Sequence, residues 1–144
     1  MFAPRAAIET YLGRIPAADL FLDTAPYNAH TTAADALWAG LPVLTCPGGT
    51  FASRVAGSMS LAAGMKALVA PSWPEYERLA LDLARRPGDL AALRHALGAA
   101  RATAPLFDMP AYARSLEAAY RHMRDRAVAG LRPAPIDLPK FVSA

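Results

Sequence analysis

The stretch from residue 19 to residue 54 constrains the fold of this chain more than any other part of the sequence. It is typical of a strand, a loop, a helix, a second strand, a second loop and the start of another helix. The predicted strands are the apolar runs 19–23 and 41–46, and the helix between them opens at Thr31 and stops at Gly40. Strands that alternate with helices predict a parallel sheet. Ligands of such sheets bind outside the carboxyl ends of the strands, where the loops 24–30 and 47–50 fall.

The rest of the chain predicts mostly helices. The spacing of apolar residues predicts helices over 6–14, 75–86, 89–103 and 110–129, and another from Phe51 to about Ala63. Residues 66–70 predict a third short strand. Ser72 and Pro74 have the chemistry of a helix start. Residues 131–144 contain three prolines and predict an extended tail, which leaves 1–130 as the folded domain.

Composition excludes several classes of protein. A chain of 144 residues with 54% hydrophobic residues is long and apolar enough for one globular domain. The net charge of +3 is spread along helices without a block of like charge, which does not support a nucleic-acid patch. Cys46 has no partner for a disulfide, and neither a membrane span nor a signal peptide is recognisable. These features favour a soluble cytoplasmic domain with no nucleic-acid or membrane partner.

The first loop and the helix after it carry groups that suit a nucleotide diphosphate. A helix N-terminus exposes unpaired N–H groups and about half a positive charge, and His30, Thr31 and Thr32 add an imidazole and two hydroxyls there. Asp35, one turn further on, suits a ribose hydroxyl. Two alternatives stay open: Thr32 and Asp35 also fit a capping box, and His30 fits an ordinary loop histidine.

The second loop repeats this arrangement at the end of the next strand. Gly48 and Gly49 allow close approach of a ligand to the backbone, Thr50 can cap a helix or contact a ligand, and Arg54 follows one turn later. The alternatives are a tight turn and a surface arginine. We expect both loops to line one crevice, because they follow successive strands.

Other chemistries find little support in the sequence. Cys46 and His30 lack a third group that would orient a thiol nucleophile, and the three histidines lack metal-ligand spacing. There is no Asp-x-Asp run, no Walker loop and no Gly-x-Gly-x-x-Gly. We therefore expect no metal and no cofactor, and assign no catalytic residue to this chain.

Residues 19–58 resemble the C-terminal catalytic lobe of the O-GlcNAc transferase and SPINDLY-like glycosyltransferases. The resemblance continues more loosely to about Arg132. The motifs that carry it are Leu22-Asp23-Thr24, Asn28-Ala29-His30-Thr31-Thr32, Asp35, Trp38-Ala39-Gly40, Pro47-Gly48 and Ala52-Ser53-Arg54-Val55. It implies an α/β fold with a Rossmann-like parallel sheet and flanking helices, the partial C-terminal domain of a GT-B glycosyltransferase. Three predicted strands agree with a partial domain, since doubly wound sheets usually have about five or six.

The resemblance also implies roles for individual residues. His30, Thr31 and Thr32 would bind the diphosphate of UDP-GlcNAc, and Asp35 would hold the ribose. Arg5 occupies the position of the lysine in the family's Ala-Pro-Lys loop, which touches the uracil. Tyr11 lies near the position of a histidine that the family has beside the uridine. The implied reaction is inverting, metal-independent transfer of GlcNAc to a Ser or Thr hydroxyl of a protein.

The resemblance implies that the parent protein has parts outside this chain. These are the first GT-B domain, the early strands of the second domain and the tetratricopeptide repeats that present acceptor proteins. We therefore expect the isolated chain to be inactive. Two alternatives stay open: a non-catalytic fragment or partner module of a split transferase, and a transferase that uses another nucleotide sugar, such as GDP-fucose.

Overall fold

The computed structural model describes residues 3–136. The described residues divide into two compact units, the second of which begins at Pro105. The helices are α1 (Ile8–Arg14), α2 (Thr31–Trp38), α3 (Val55–Ala62), α4 (Trp73–Arg85), α5 (Pro87–Ala100) and α6 (Met109–Val128), and the strands are β1 (Phe21–Leu22) and β2 (Val43–Leu44). Residues 131–136 have no regular secondary structure, and the remainder of the expected tail, 137–144, lies outside the described residues.

The sheet is parallel, as the sequence predicts. β1 pairs with β2 so that Phe21 lies opposite Val43 and Leu22 opposite Leu44, and α2 forms the crossover between them. The helix ends where predicted, because Gly40 adopts a positive φ of 82° that a side chain would strain. The predicted α/β class with flanking helices is confirmed.

The predicted third strand over residues 66–70 is wrong for most of its length. Lys66–Leu68 forms a 3-10 helix, and only Val69 bridges Thr45 in parallel. Two backbone hydrogen bonds flank the bridge, Thr45 N–H to the Leu68 carbonyl at 3.0 Å and Ala70 N–H to the Thr45 carbonyl at 2.8 Å. The residues after α3 form the turn that returns the chain to the sheet. Pro71, which follows Ala70, has no N–H to continue the hydrogen bonds between the strands.

The observed helix starts differ from the predicted ones by one or two residues at α1, α4, α5 and α6, and by four residues at α3. α3 begins at Val55 and not at Phe51, because reciprocal hydrogen bonds between Thr50 and Ser53 hold residues 50–53 in a turn. α5 begins at Pro87, which the sequence pattern treats as a break. Proline fits the first turn of a helix because its missing N–H would have no partner there.

The core of the first unit surrounds β2. Val43 and Leu44 are fully buried, and Leu37 of α2 and Leu97 of α5 are also completely inaccessible. The most buried alanines are Ala33, Ala36, Ala56, Ala63 and Ala70. The small side chains of Ala33 and Ala36 on α2 and of Ala56 on α3 suit a close approach of these two helices, which contact each other. In the described part of the chain, every helix is too short or too polar to cross a bilayer.

Replacing Ser72 with alanine should lower the free energy of unfolding by about 1 kcal/mol. Ser72 caps α4 as predicted, since its Oγ accepts a hydrogen bond from the Glu75 N–H at 3.4 Å and Pro74 lies in the first turn. Urea denaturation followed by circular dichroism measures the change. Ser58→Ala, on the exposed side of α3, is the control and should cost nothing; an equal loss in both variants would contradict the capping role.

Candidate functional site

The first loop, residues 23–30 after β1, and the second loop, residues 45–54 after β2, contact each other at the carboxyl ends of the strands. The Asn28 N–H donates to the Ala52 carbonyl at 3.0 Å, and Nε2 of His30 lies 3.3 Å from the same oxygen. One carbonyl of the second loop therefore accepts from two groups of the first. The structure thus joins the two loops that the sequence predicts to line one crevice.

A buried carboxyl group anchors the first loop to both strands. Asp23, only 4% exposed, accepts a hydrogen bond from the Ala29 N–H at 2.7 Å and another from the Thr45 hydroxyl at 2.7 Å. The Tyr76 hydroxyl of α4 donates to the Asp23 backbone carbonyl at 2.9 Å. This network fixes the residue immediately before His30. Sequence reasoning missed it, and the one available signal was a carboxylate at the end of an apolar strand.

His30 lies at the N-terminus of α2 between two aromatic side chains. The Tyr27 ring stacks on the imidazole with a centroid distance of 4.7 Å and an interplanar angle of 24°, and Phe51 of the second loop meets it edge-on at 6.1 Å. The Tyr27 hydroxyl lies 3.4 Å from Nδ1 of His30. Since the Ala52 carbonyl can only accept, we assign a hydrogen to Nε2, and in that tautomer Nδ1 accepts from the Tyr27 hydroxyl.

The first turn of α2 has unpaired donors next to His30. The Ala33 and Ala34 N–H groups donate to the His30 carbonyl at 3.1 and 3.0 Å, whereas the N–H groups of Thr31 and Thr32 precede any intrahelical acceptor. Both threonine side chains are exposed. The capping-box interpretation of Thr32 and Asp35 is wrong: His30 is the N-cap, without a side-chain cap hydrogen bond, and Thr32 lies inside the helix.

Asp35 and Tyr11 lie side by side between α2 and α1. Burial raises the pKa of Tyr11, and the neighbouring Asp35 carboxylate raises it further through its charge and by accepting from the hydroxyl. A cavity of about 370 Å³ adjoins Tyr11, and its lining also includes Thr32 and Phe21. The structure therefore brings together the residues predicted for the ribose and, in part, for the base.

Arg5, the residue predicted to contact the base, lies exposed in the irregular segment ahead of α1. The Arg14 guanidinium donates to the Pro4 carbonyl at 3.0 Å and so fixes the backbone next to Arg5. The predicted base-binding arginine is therefore exposed next to a backbone segment that Arg14 holds in place.

The second loop is a compact turn closed on Ser53. The Gly48 N–H donates to the Ser53 carbonyl at 2.8 Å, and the Thr50 N–H and hydroxyl lie 3.0 and 2.9 Å from the Ser53 hydroxyl oxygen. A Cβ at Gly48 would lie 2.6 Å from that oxygen, whereas one at Gly49 would meet open space. The Arg54 Nε donates to the Thr50 carbonyl at 3.2 Å. The tight-turn alternative therefore accounts for Gly48 and Thr50, and Gly49 stays open to a ligand.

Within the described residues, neither the Cys46 thiol nor a cluster of metal ligands provides a second site. Cys46 is buried, and burial raises the pKa of its thiol, which keeps it protonated and unreactive. Between residues 3 and 136, no group of three or more His, Cys, Asp or Glu side chains is placed to hold a metal ion.

Comparison with known proteins identifies the family of this chain. The model of glycosyl transferase family 41 matches residues 1–116, which include both loops, α1 and α2. The chain belongs to glycosyl transferase family 41. The resemblance that the loop motifs indicate is therefore confirmed.

Curated relatives of this family 41 chain are much longer than it is. It is 40% identical over 134 residues to the probable UDP-N-acetylglucosamine–peptide N-acetylglucosaminyltransferase SEC of Arabidopsis thaliana, covering 92% of this chain and 14% of that protein. The corresponding enzyme of Caenorhabditis elegans is 38% identical over 137 residues, which are 95% of this chain and 12% of that protein.

A solved structure supports the fold assignment. A mutant of the Thermobaculum terrenum O-GlcNAc transferase superposes with a TM-score of 0.76 at 35% identity, covering 90% of this chain and 25% of that one. The family 41 chain thus spans a small part of each of these proteins.

Proposed function

We propose that this chain is the UDP-binding lobe of a UDP-GlcNAc-dependent protein O-glycosyltransferase of GT-B architecture. The observation that carries the proposal is the arrangement of polar groups at the start of α2: His30, the free donors of Thr31 and Thr32, and Asp35. The second loop contacts this helix start through the Ala52 carbonyl. Family 41 membership and the names of the relatives support a UDP-N-acetylglucosamine donor and a peptide acceptor; transfer to a Ser or Thr hydroxyl is part of the proposal.

The proposed nucleotide lies along α2 from its N-terminus to Asp35. The N–H groups and hydroxyls of Thr31 and Thr32, with the Nε2–H of His30, hold the diphosphate at the positive end of the helix dipole. The Asp35 carboxylate accepts a hydrogen bond from a ribose hydroxyl, which replaces the one from the Tyr11 hydroxyl. Tyr11 and Arg5 lie towards the base, with the cavity beside Tyr11 available to it. Gly49 lies on the second loop, across from the sugar end.

In this proposal the chain contributes to catalysis through its N–H and hydroxyl donors. Glycosyl transfer leaves negative charge on the departing UDP, and donors fixed around the diphosphate stabilise that charge without reorganising. Holding donor and acceptor together supplies the rest of the rate enhancement. We further propose that the parent protein acts in the cytoplasm and carries the other GT-B domain and the tetratricopeptide repeats.

Calorimetric titration of UDP into the chain tests this proposal. His30→Ala and Asp35→Ala should each raise Kd by about tenfold or more, the equivalent of about 1.4 kcal/mol, because each removes one polar partner of a different part of UDP. His95→Ala, on the exposed side of α5, is the matched control and should bind UDP like the unmodified chain.

Two outcomes would contradict the proposed site. One is a chain that is folded by circular dichroism but does not bind UDP. The other is UDP binding that neither His30→Ala nor Asp35→Ala weakens. GDP titrated in parallel should bind more weakly; tighter binding of GDP would favour a transferase that uses a guanine nucleotide sugar.

A further inference from the structure

Tyr27 contacts His30 in two independent ways. Its ring stacks on the imidazole at 4.7 Å, and its hydroxyl lies 3.4 Å from Nδ1. Tyr27 is nevertheless 62% exposed, so its burial adds little to the hydrophobic core. A large aromatic side chain in an exposed loop, with its polar end against a histidine, indicates a role in orienting that histidine.

The other nitrogen of His30 has a partner that it can exchange. Nε2 donates to the Ala52 carbonyl over 3.3 Å, a long hydrogen bond, and the Asn28 N–H donates to the same oxygen over 3.0 Å. If a small swing of the imidazole brings Nε2–H to a phosphate oxygen, the Ala52 carbonyl keeps the shorter bond from Asn28 and is not left without a donor. Nε2 is therefore the nitrogen available to a nucleotide.

The contact at Nδ1 stays in place during this exchange. A tyrosine hydroxyl can donate to the neutral imidazole and accept from the charged one, so Tyr27 holds Nδ1 in either state of the ring. The stacked ring of Tyr27 and the edge of Phe51 limit the tilt of the imidazole. These contacts restrict the imidazole to a small swing about the Nδ1 contact, and that swing moves Nε2–H from the Ala52 carbonyl to the phosphate.

We propose that Tyr27 is a positioning residue that fixes the His30 imidazole so that its Nε2–H points at the nucleotide diphosphate. This inference rests on the proposed function, since it takes UDP as the ligand. Tyr27 does not touch the diphosphate itself; it acts through His30.

A double-mutant cycle on UDP affinity tests this role. Tyr27→Phe keeps the stacked ring and removes the hydroxyl, and it should raise Kd about fivefold, the range expected for one hydrogen bond. In the His30→Ala background the same substitution should change Kd no further, because the residue through which Tyr27 acts is gone. Tyr120→Phe, an exposed tyrosine of α6, is the control and should leave Kd unchanged.

A second readout needs no nucleotide. Nitrogen-15 NMR of the histidine rings should show the Nδ1 resonance of His30 moving downfield in Tyr27→Phe, since Nδ1 loses the hydrogen bond that it accepts. The resonances of His95 and His122 should stay in place. This shift is measured on the folded chain and does not follow from a general loss of stability.

The outcomes separate this inference from the proposed function. Unchanged UDP affinity in Tyr27→Phe, or an equal loss with and without His30, would overturn the positioning role while leaving UDP binding established. An unmoved Nδ1 resonance would also overturn it. A folded chain that binds no UDP at all would overturn the proposed function and this inference together.

Discussion

Replacing Asp23 with alanine should lower the free energy of unfolding by roughly 3 kcal/mol, since the expected cost is about 1–3 kcal/mol for each buried group left without its partner. The carboxyl group is the acceptor for the Ala29 N–H and for the hydroxyl of Thr45, which is itself fully buried. Neither donor has another acceptor among the hydrogen bonds of the described residues. Urea denaturation monitored by circular dichroism measures the loss.

Two variants make the Asp23 experiment decisive. Asp23→Asn keeps one oxygen for the Ala29 N–H and places an NH₂ group against a Thr45 hydroxyl that can turn to accept, so a loss of only about 1 kcal/mol is expected. Asp19→Ala changes an exposed carboxylate and should leave the stability within about 0.5 kcal/mol. If Asp23→Ala were no less stable than Asp19→Ala, the network would not hold the loop.

The β1–α2–β2 unit was predictable because its signals are local. Two apolar runs define the strands, and the positive φ of Gly40 is available from the residue type alone. The same holds for α6, whose end before Gly130 agrees with the apolar spacing and with a φ of 67° at that glycine. Segment 66–70 has the composition of a strand. The turn before it and Pro71 after it leave room for only one bridging residue, and composition alone does not predict this limit.

The residues at the start of α2 were predictable from the sequence, whereas the buried hydrogen-bond network that supports them was not. His30, Thr31 and Thr32 are adjacent, so the loop and helix pattern locates them together. Asp23 and Thr45 are 22 residues apart, and Tyr76 is 53 residues from Asp23, so their network depends on tertiary packing. The start of α3 at Val55 was missed because side-chain hydrogen bonds within the loop override the helical periodicity that begins at Phe51.

Gly57 should tolerate a larger side chain poorly, with about 1–2 kcal/mol lost in Gly57→Ala and roughly 3 kcal/mol in Gly57→Val. This residue of α3 is buried, and a Cβ there would lie 2.7 Å from Cγ of Pro47. The proline ring is rigid, so either α3 or the start of the second loop must move. Alanine gains up to about 1 kcal/mol of helix propensity over glycine, which the overlap outweighs.

Substituting alanine at Gly98 should change the free energy of unfolding in the opposite direction, so Gly98→Ala serves as the control for Gly57→Ala. Gly98 lies inside α5, is exposed, and an added Cβ would meet nothing within 4 Å, so Gly98→Ala should raise the free energy of unfolding by about 0.5–1 kcal/mol. Thermal and urea unfolding of both alanine variants under one set of conditions measures the contrast. Equal stabilisation at both sites would show that α3 does not pack tightly on Pro47. A loss confined to Gly57 would show that α3 sets the position of the second loop, and through Ala52 the partner of His30.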